Sequence, residues 1–305
     1  MVVDNNAGLA DKIQSLKRER RAVILAHNYQ LGEVQDIADF VGDSLELSQI
    51  AAESKAEVII FCGVRFMAET ASILCPDKKV LLPEASAGCP MADMATAKEM
   101  RRKKKELPQA VVVCYVNSTA EVKAESDICC TSANAVEVVR SLDNEQVIFV
   151  PDRFLGHYVS TKVKKQFFLW NGFCPTHVRI SPEDIMRLKN EYPEAKVVVH
   201  PECRPEVISL ADEALSTGGM CRYARRDDVE QMVVGTEIGM LYRLKKENPQ
   251  KRFILASEQA ICPDMKLITL EKVLHSLETM SPEVRVPDDI RRRAKVAVDR
   301  MLEVV

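Results

Sequence analysis

Three short β-branched runs each end in a polar ring, at His27, Tyr115 and His200, and each is followed by the same kinds of residue at nearly the same offsets. A hydroxyl side chain stands 17 positions later in every case, at Ser44, Ser132 and Thr217, and a Cys-Pro pair stands 62, 59 and 62 positions later, at Cys89, Cys174 and Cys262. This threefold register is the tightest constraint on what the chain can become. Its period of 85 to 88 residues is far longer than that of a solenoid, and strands alternating with helical patterns at this spacing read as parallel βαβ units. The predicted fold class is α/β: three homologous three-layer αβα domains with short parallel sheets, arranged around a pseudo-threefold axis. The expected divisions are residues 1–91, 92–177 and 178–265, with C-terminal helices over 266–305 packing back on the repeats and the first repeat as their expected partner.

Within the first unit, Leu9 to Arg21 has helical spacing, Ala22 to His27 is a buried strand, and helices are predicted over Glu33 to Phe40 and from Ser44, placed as an N-cap, through Ala52. Strands follow at Val58 to Gly63 and Lys79 to Pro83, separated by a helix over Met67 to Leu74. The second unit repeats the order, with Ile128 to Ser132 leading into a helix that runs to Leu142. The third opens on Ser181-Pro182-Glu183-Asp184, an N-cap followed by Pro at the first helical turn.

Composition excludes several classes. Lys and Arg number 42 against 45 Asp and Glu, for a net charge of −3, so neither nucleic acid nor an anionic membrane is an expected partner. No apolar run reaches the ~20 residues that span a bilayer, and the polar start lacks the features of a secretory signal, which predicts a cytoplasmic protein. There the ten cysteines stay reduced, leaving metal, catalytic and packing roles. The basic run from Arg101 to Lys105 reads as a solvated helix face, and Gly235-Thr-Glu-Ile-Gly239 lacks a full nucleotide-loop pattern.

In open parallel sheets ligands bind beyond the strand carboxyl ends. His27, Tyr115, His200 and the three Cys-Pro cysteines all follow strands, so they are expected to converge on one cavity. Three remote cysteines suit zinc poorly and an iron-sulfur cluster better, with one iron left open; ordinary buried thiols are the alternative. Cys62, Cys75, Cys114, Cys129, Cys130 and Cys221 read as packing residues, and Cys203 as intermediate. Ser44, Ser132 and Thr217, at strand-to-helix junctions, suit anionic substrate groups or simple capping. His27, Tyr29, Tyr115, His200 and Glu202 are candidate acids and bases.

The segments L-A-H-N-Y-Q, G-D-S-L, Y-V-N-S, C-T-S-A-N-A, H-P-E-C, S-T-G-G-M and G-T-E-I-G-M, with the three Cys-Pro sites, together resemble the quinolinate synthase family from about Ala22 to Met265. The resemblance implies a transferase-type enzyme of de novo NAD biosynthesis that condenses iminoaspartate with dihydroxyacetone phosphate to quinolinate, phosphate and water, linked to an enzyme that supplies iminoaspartate. It implies one 4Fe-4S cluster per chain on Cys89, Cys174 and Cys262. It also implies a substrate site formed by His27, Ser44, Tyr115, Val116, Asn117, Ser132, His177, His200, Pro201, Glu202, Ser216 and Thr217. Tyr29, Tyr115, His200 and Glu202 are its expected catalytic residues. Some relatives carry C-x-x-C-x-x-C around the last ligand; here Cys262 is followed by Pro263, Asp264 and Met265, so no regulation by neighbouring thiols is expected. The alternatives are a metal-containing anion sensor without turnover and a cluster-dependent hydro-lyase.

Overall fold

The computed structural model describes residues 5–304. Its strands form three separate four-stranded parallel sheets. The first contains Ala22–His27 (β1), Phe40–Gly42 (β2), Val58–Cys62 (β3) and Lys79–Leu81 (β4) in the order β2-β1-β3-β4. Val111–Tyr115 (β5), Ile128–Cys130 (β6), Gln146–Val150 (β7) and Gln166–Leu169 (β8) repeat it as β6-β5-β7-β8, and Lys196–Val199 (β9), Glu213–Ala214 (β10), Gln231–Gly235 (β11) and Arg252–Leu255 (β12) as β10-β9-β11-β12. Central strands such as Val58–Cys62 and Val111–Tyr115 are buried at every position. Helices on both faces demand this continuous apolar run in place of alternation.

Two recurring contacts define the unit below the level of the strands. In each sheet the short edge strand starts too late to pair with one N–H of its central neighbour. A carboxylate fills the gap: Asp39 accepts from the Ile24 N–H at 2.8 Å, Asp127 from Val112 at 2.8 Å and Asp212 from Val197 at 2.7 Å. The N–H of each aspartate donates back to the carbonyl of the same strand residue, so one residue imitates a ladder pair. In addition Lys78, Lys165 and Lys251, each directly ahead of a fourth strand, donate to two carbonyls where the helix after the second strand ends: Ala51 and Ser54, Leu142 and Asn144, Ala224 and Arg226. A lysine at that position satisfies orphan carbonyls and meets the negative end of the helix dipole.

Several local expectations are corrected. The helix expected over Glu33 to Phe40 ends at Ile37, because Asp39 turns the chain into β2. Ser44 does not cap its helix. Asp43 does, accepting from the N–H groups of Leu45 and Glu46 while the Glu46 carboxylate accepts from the Asp43 N–H in a capping box. Ser132 lies in a turn between β6 and a helix that begins only at Ala135, and Thr217 is the first helical residue after the cap Ser216. Capping thus falls to the preceding residue in the first and third units. The edge strands β2 and β10, of three and two residues, are too short for a hydrophobic period to reveal.

Most of the apolar interior forms one continuous core, while Ile180, Ile185, Val197, Val199, Val207 and Val233 form a second core inside the third unit. Helix Leu270–Thr279 packs on Asn5–Glu19 and β3; helix Asp288–Glu303 packs on Arg65–Leu74 of the first unit and on β6 and Ala120–Lys123 of the second. The Asn134 amide ties down the last turn by donating to the Met301 and Val304 carbonyls. The basic run lies on helix Ala97–Glu106, where Arg101 pairs with Glu125 and Lys104 with Asp127. Among the described residues no helix is long and apolar enough to cross a membrane.

Asp212→Ala is expected to destabilise the fold by about 1–3 kcal/mol, because a buried strand N–H loses its acceptor. Asp212→Asn keeps an acceptor oxygen and should cost less than half as much. Thermal unfolding of the two variants compares them.

Candidate active site

Each sheet has its chain reversal between the first and third strands of its unit, and the crevice there opens at the strand carboxyl ends. The residue after β9 and the last residues of β1 and β5 deliver His200, His27 and Tyr115 to one cavity. Its wall also holds Tyr29, Ser44, Asn117, Ser132, His177, Glu202, Thr217 and the three cysteines Cys89, Cys174 and Cys262. The convergence expected from the register is therefore present. Val116, Pro201 and Ser216 stand behind this wall: the Val116 N–H completes the sheet on the Cys130 carbonyl, Pro201 carries no N–H, and Ser216 caps helix Thr217–Ala224 while donating to Asp43 Oδ2 at 3.1 Å.

The local backbone sets the chemistry of the two strand-end histidines identically. The Tyr29 N–H donates to His27 Nδ1 and the Glu202 N–H donates to His200 Nδ1, both at 3.2 Å and both from two residues on. A backbone N–H only donates, so each Nδ1 accepts and each neutral ring carries its proton on Nε2. Burial is the main reason that the pKa of both imidazoles falls to about 3; for His27 the neighbouring His200 adds to it, while for His200 the Glu202 carboxylate opposes and His177 reinforces the drop. Both rings are thus neutral Nε2–H donors at physiological pH. His200 uses its donor on Ser132 Oγ, 3.2 Å away.

Glu202 is 3% exposed, and burial alone would raise its pKa. His177 and His200 beside it and the hydrogen bonds from His177 and Tyr115 prevail and hold the carboxyl below its usual range. Tyr115 OH donates to Oε1 at 2.5 Å, and His177 Nδ1 lies 2.8 Å from Oε2. Both tyrosines titrate well above their usual range, first through burial and then through the Glu202 charge, which keeps them as neutral donors. Tyr29 OH and His177 Nε2 meet at Thr236 Oγ1, at 2.5 and 2.9 Å.

The three Cys-Pro turns share one geometry. In the first two the chain folds back on the cysteine carbonyl, which accepts from the Ala92 N–H at 2.9 Å after Cys89 and from the Val178 N–H at 3.3 Å after Cys174; His177 Nδ1 lies 3.1 Å from the Cys174 sulfur. A short 3₁₀ turn follows each cysteine, at Ala92–Met94, His177–Arg179 and Asp264–Lys266, and the proline supplies a φ already suited to such a turn. Burial pushes all three thiols up, Cys89 to about 12; only a cation would hold them as thiolates. Cys174, His177 and Glu202 also bring ligand atoms within 4.8 Å of one another, a grouping that could hold a metal ion.

Two buried acidic residues outside the expected site set stand beside the turns, and Glu237 also lines the cavity. Glu237 Oε1 accepts from the Cys262 N–H at 3.1 Å, and its carboxylate pairs with Lys266 at 2.9 Å. Asp152, equally buried, caps helix Arg153–Lys162 by accepting from the Phe154 and Leu155 N–H groups at 2.7 and 2.9 Å. Each stands 37 positions after its strand-end ring, His200 or Tyr115, so aligning the third unit on the second exposes the pair. The first unit has Val64 there.

A three-unit α/β fold whose strand ends gather thiols, neutral imidazoles, hydroxyls and a held carboxylate in one buried cavity defines a class of enzymes with a metal-capable centre that acts on small polar molecules. A family model described as quinolinate synthetase A protein matches residues 11–303, and the chain belongs to this family of enzymes. It is 63% identical over 297 residues to the quinolinate synthase of Dehalococcoides mccartyi strain CBDB1, covering 97% of this chain and 98% of that protein. It is also 57% identical over 298 residues to the quinolinate synthase of Methanosarcina barkeri strain Fusaro, covering 98% of both chains. With Geotalea uraniireducens strain Rf4 the quinolinate synthase match is 57% over 293 residues and 96% of both.

Because His27 and His200 stay neutral down to about pH 3 when folded, while an exposed histidine takes a proton near 6.5, the unfolded chain binds the extra protons in between. Their contribution to stability is complete above about pH 6.5 and is lost as the pH falls, by up to about 1.4 kcal/mol per pH unit for each ring. His27→Asn is expected to lose less thermal stability than the parent on acidification from about pH 7.5 to 5.5, as followed by circular dichroism.

Proposed function

We propose that this chain is a cytoplasmic quinolinate synthase of NAD biosynthesis. In this reading it condenses iminoaspartate, supplied by a separate enzyme, with dihydroxyacetone phosphate to give quinolinate, phosphate and water. The observation that carries the reading is the meeting in one cavity of three equivalent Cys-Pro turns with Glu202, whose two oxygens are held by Tyr115 and His177. The three similar units, grouped about a pseudo-threefold axis, each contribute one turn.

The donor set fits a 4Fe-4S cluster. Three cysteines from equivalent Cys-Pro turns meet on one cavity wall, the ligand type that such clusters take. Cys89, Cys174 and Cys262 would hold it, and when bound it supplies an open iron that acts as a Lewis acid on substrate oxygen or nitrogen. The protein's own groups supply the rest. Ser44, Ser132 and Thr217, with the Nε2–H of His27, receive carboxylate and phosphate oxygens, and Asn117 and His200 complete the polar wall. Glu202, held ionised, takes a carbon-bound proton. Tyr29 and Tyr115, held neutral, give and regain protons at the carbonyl and hydroxyl oxygens of the triose. Burial of these groups excludes bulk water from an imine that water would hydrolyse.

Purified without oxygen, the protein is expected to carry iron and sulfide in equal amounts and to form quinolinate from the two substrates; zinc without sulfide would instead favour the Cys174, His177 and Glu202 group as a metal site, and no turnover would favour a sensor. Cys262→Ala should lose the visible absorption of the cluster. Glu202→Gln should keep that absorption and lose turnover by about 100-fold or more; wild-type turnover in that variant would remove the assigned base.

A further inference from the structure

Thr217 Oγ1 sits on the cavity wall and accepts a hydrogen bond from Asn28 Nδ2 at 2.8 Å. Asn28 is fully buried, and its other amide atom, Oδ1, accepts from Arg243 Nη1 at 2.7 Å. Arg243 in turn is fixed by Glu247, whose Oε1 accepts from Nε at 2.7 Å, and its side chain is 17% exposed. A guanidinium has only donors, so Asn28 can present only oxygen to it. The amide then has no choice but to point its N–H₂ at Thr217.

A hydroxyl that already accepts from an N–H keeps its own proton for another partner. We infer that Arg243 and Asn28 are positioning residues that keep the Thr217 proton free to be donated into the cavity, to an anionic oxygen of the substrate, whether carboxylate or phosphate. Ser132 is placed alike by a different route: His200, with Nδ1 occupied by the Glu202 N–H, donates Nε2–H to it. Two cavity hydroxyls are thereby set as donors before substrate arrives, which spares the cost of reorienting them. Arg243 itself does not line the cavity; it acts through two intermediate groups.

This inference rests on the proposed quinolinate synthase reading, and its test separates the two. Wild-type protein that forms no quinolinate overturns that reading. With an active wild type, Arg243→Met frees the Asn28 amide to turn its oxygen to Thr217 and capture the hydroxyl proton. KM for one substrate should rise about 10-fold or more, with a smaller change in kcat and with the thermal midpoint and cluster absorption retained. A rise for dihydroxyacetone phosphate assigns Thr217 to the phosphate, and a rise for iminoaspartate assigns it to a carboxylate. Arg243→Lys keeps a donor and should restore KM to within about 3-fold of wild type. In a Thr217→Val background, Arg243→Met should add less than about 2-fold, since the group through which it acts is gone. Full multiplication of the two effects, or an unchanged KM in folded Arg243→Met, overturns the inference. Should Arg243→Met fail to fold, Asn28→Asp serves instead: the carboxylate can only accept from Thr217, so KM must rise while the shape is kept, and an unchanged KM there overturns the inference equally.

Discussion

Backbone N–H groups left over beyond the carboxyl ends of parallel strands organise this cavity. A strand that stops leaves donors with no ladder partner, and buried donors must be satisfied. Here they are satisfied by the functional side chains themselves. Two such donors fix the tautomers of His27 and His200. Asp43 and Ser216 take the donors at two helix starts. The fold thus orients its reactive atoms with groups it would otherwise have had to hide.

Electrostatics follows from the same burial. Desolvation disfavours charge on both imidazoles and both tyrosines, while Glu202 has enough donors around it to remain ionised. An ionised carboxylate beside neutral donors is a division of labour that a water-filled cleft does not enforce, because solvent would level the differences. The units also lean on one another: Glu202 of the third meets Tyr115 and His177 of the second, while Asn28 of the first meets Thr217 of the third.

Much of this was legible from spacing. The strand-end rings, the three hydroxyls and the Cys-Pro pairs were visible as a register, and the strands that carry them appear nearly residue for residue. Asp39, Asp127 and Asp212 belong to the same register, but a surface aspartate before a two- or three-residue edge strand has no hydrophobic period to mark it. The cap expected at Ser44 falls one residue earlier, on Asp43, and Ser216 likewise caps ahead of Thr217, since Asp and Ser are caps of at least equal propensity. Thr236 and Glu237 lie in a glycine-flanked segment whose motif does not by itself give their roles; they hold Tyr29, His177 and the Cys262 turn.

The sequence by itself determined three equivalent α/β units and which residues stand at their strand ends, because both depend on local period and on spacing within one unit. Only the tertiary structure decided which way each proton points and which carboxylate is charged. Those properties arise from contacts between units, such as Tyr115 on Glu202 and Arg243 on Asn28, and from a burial that no single segment possesses until all three units have closed on the thiols.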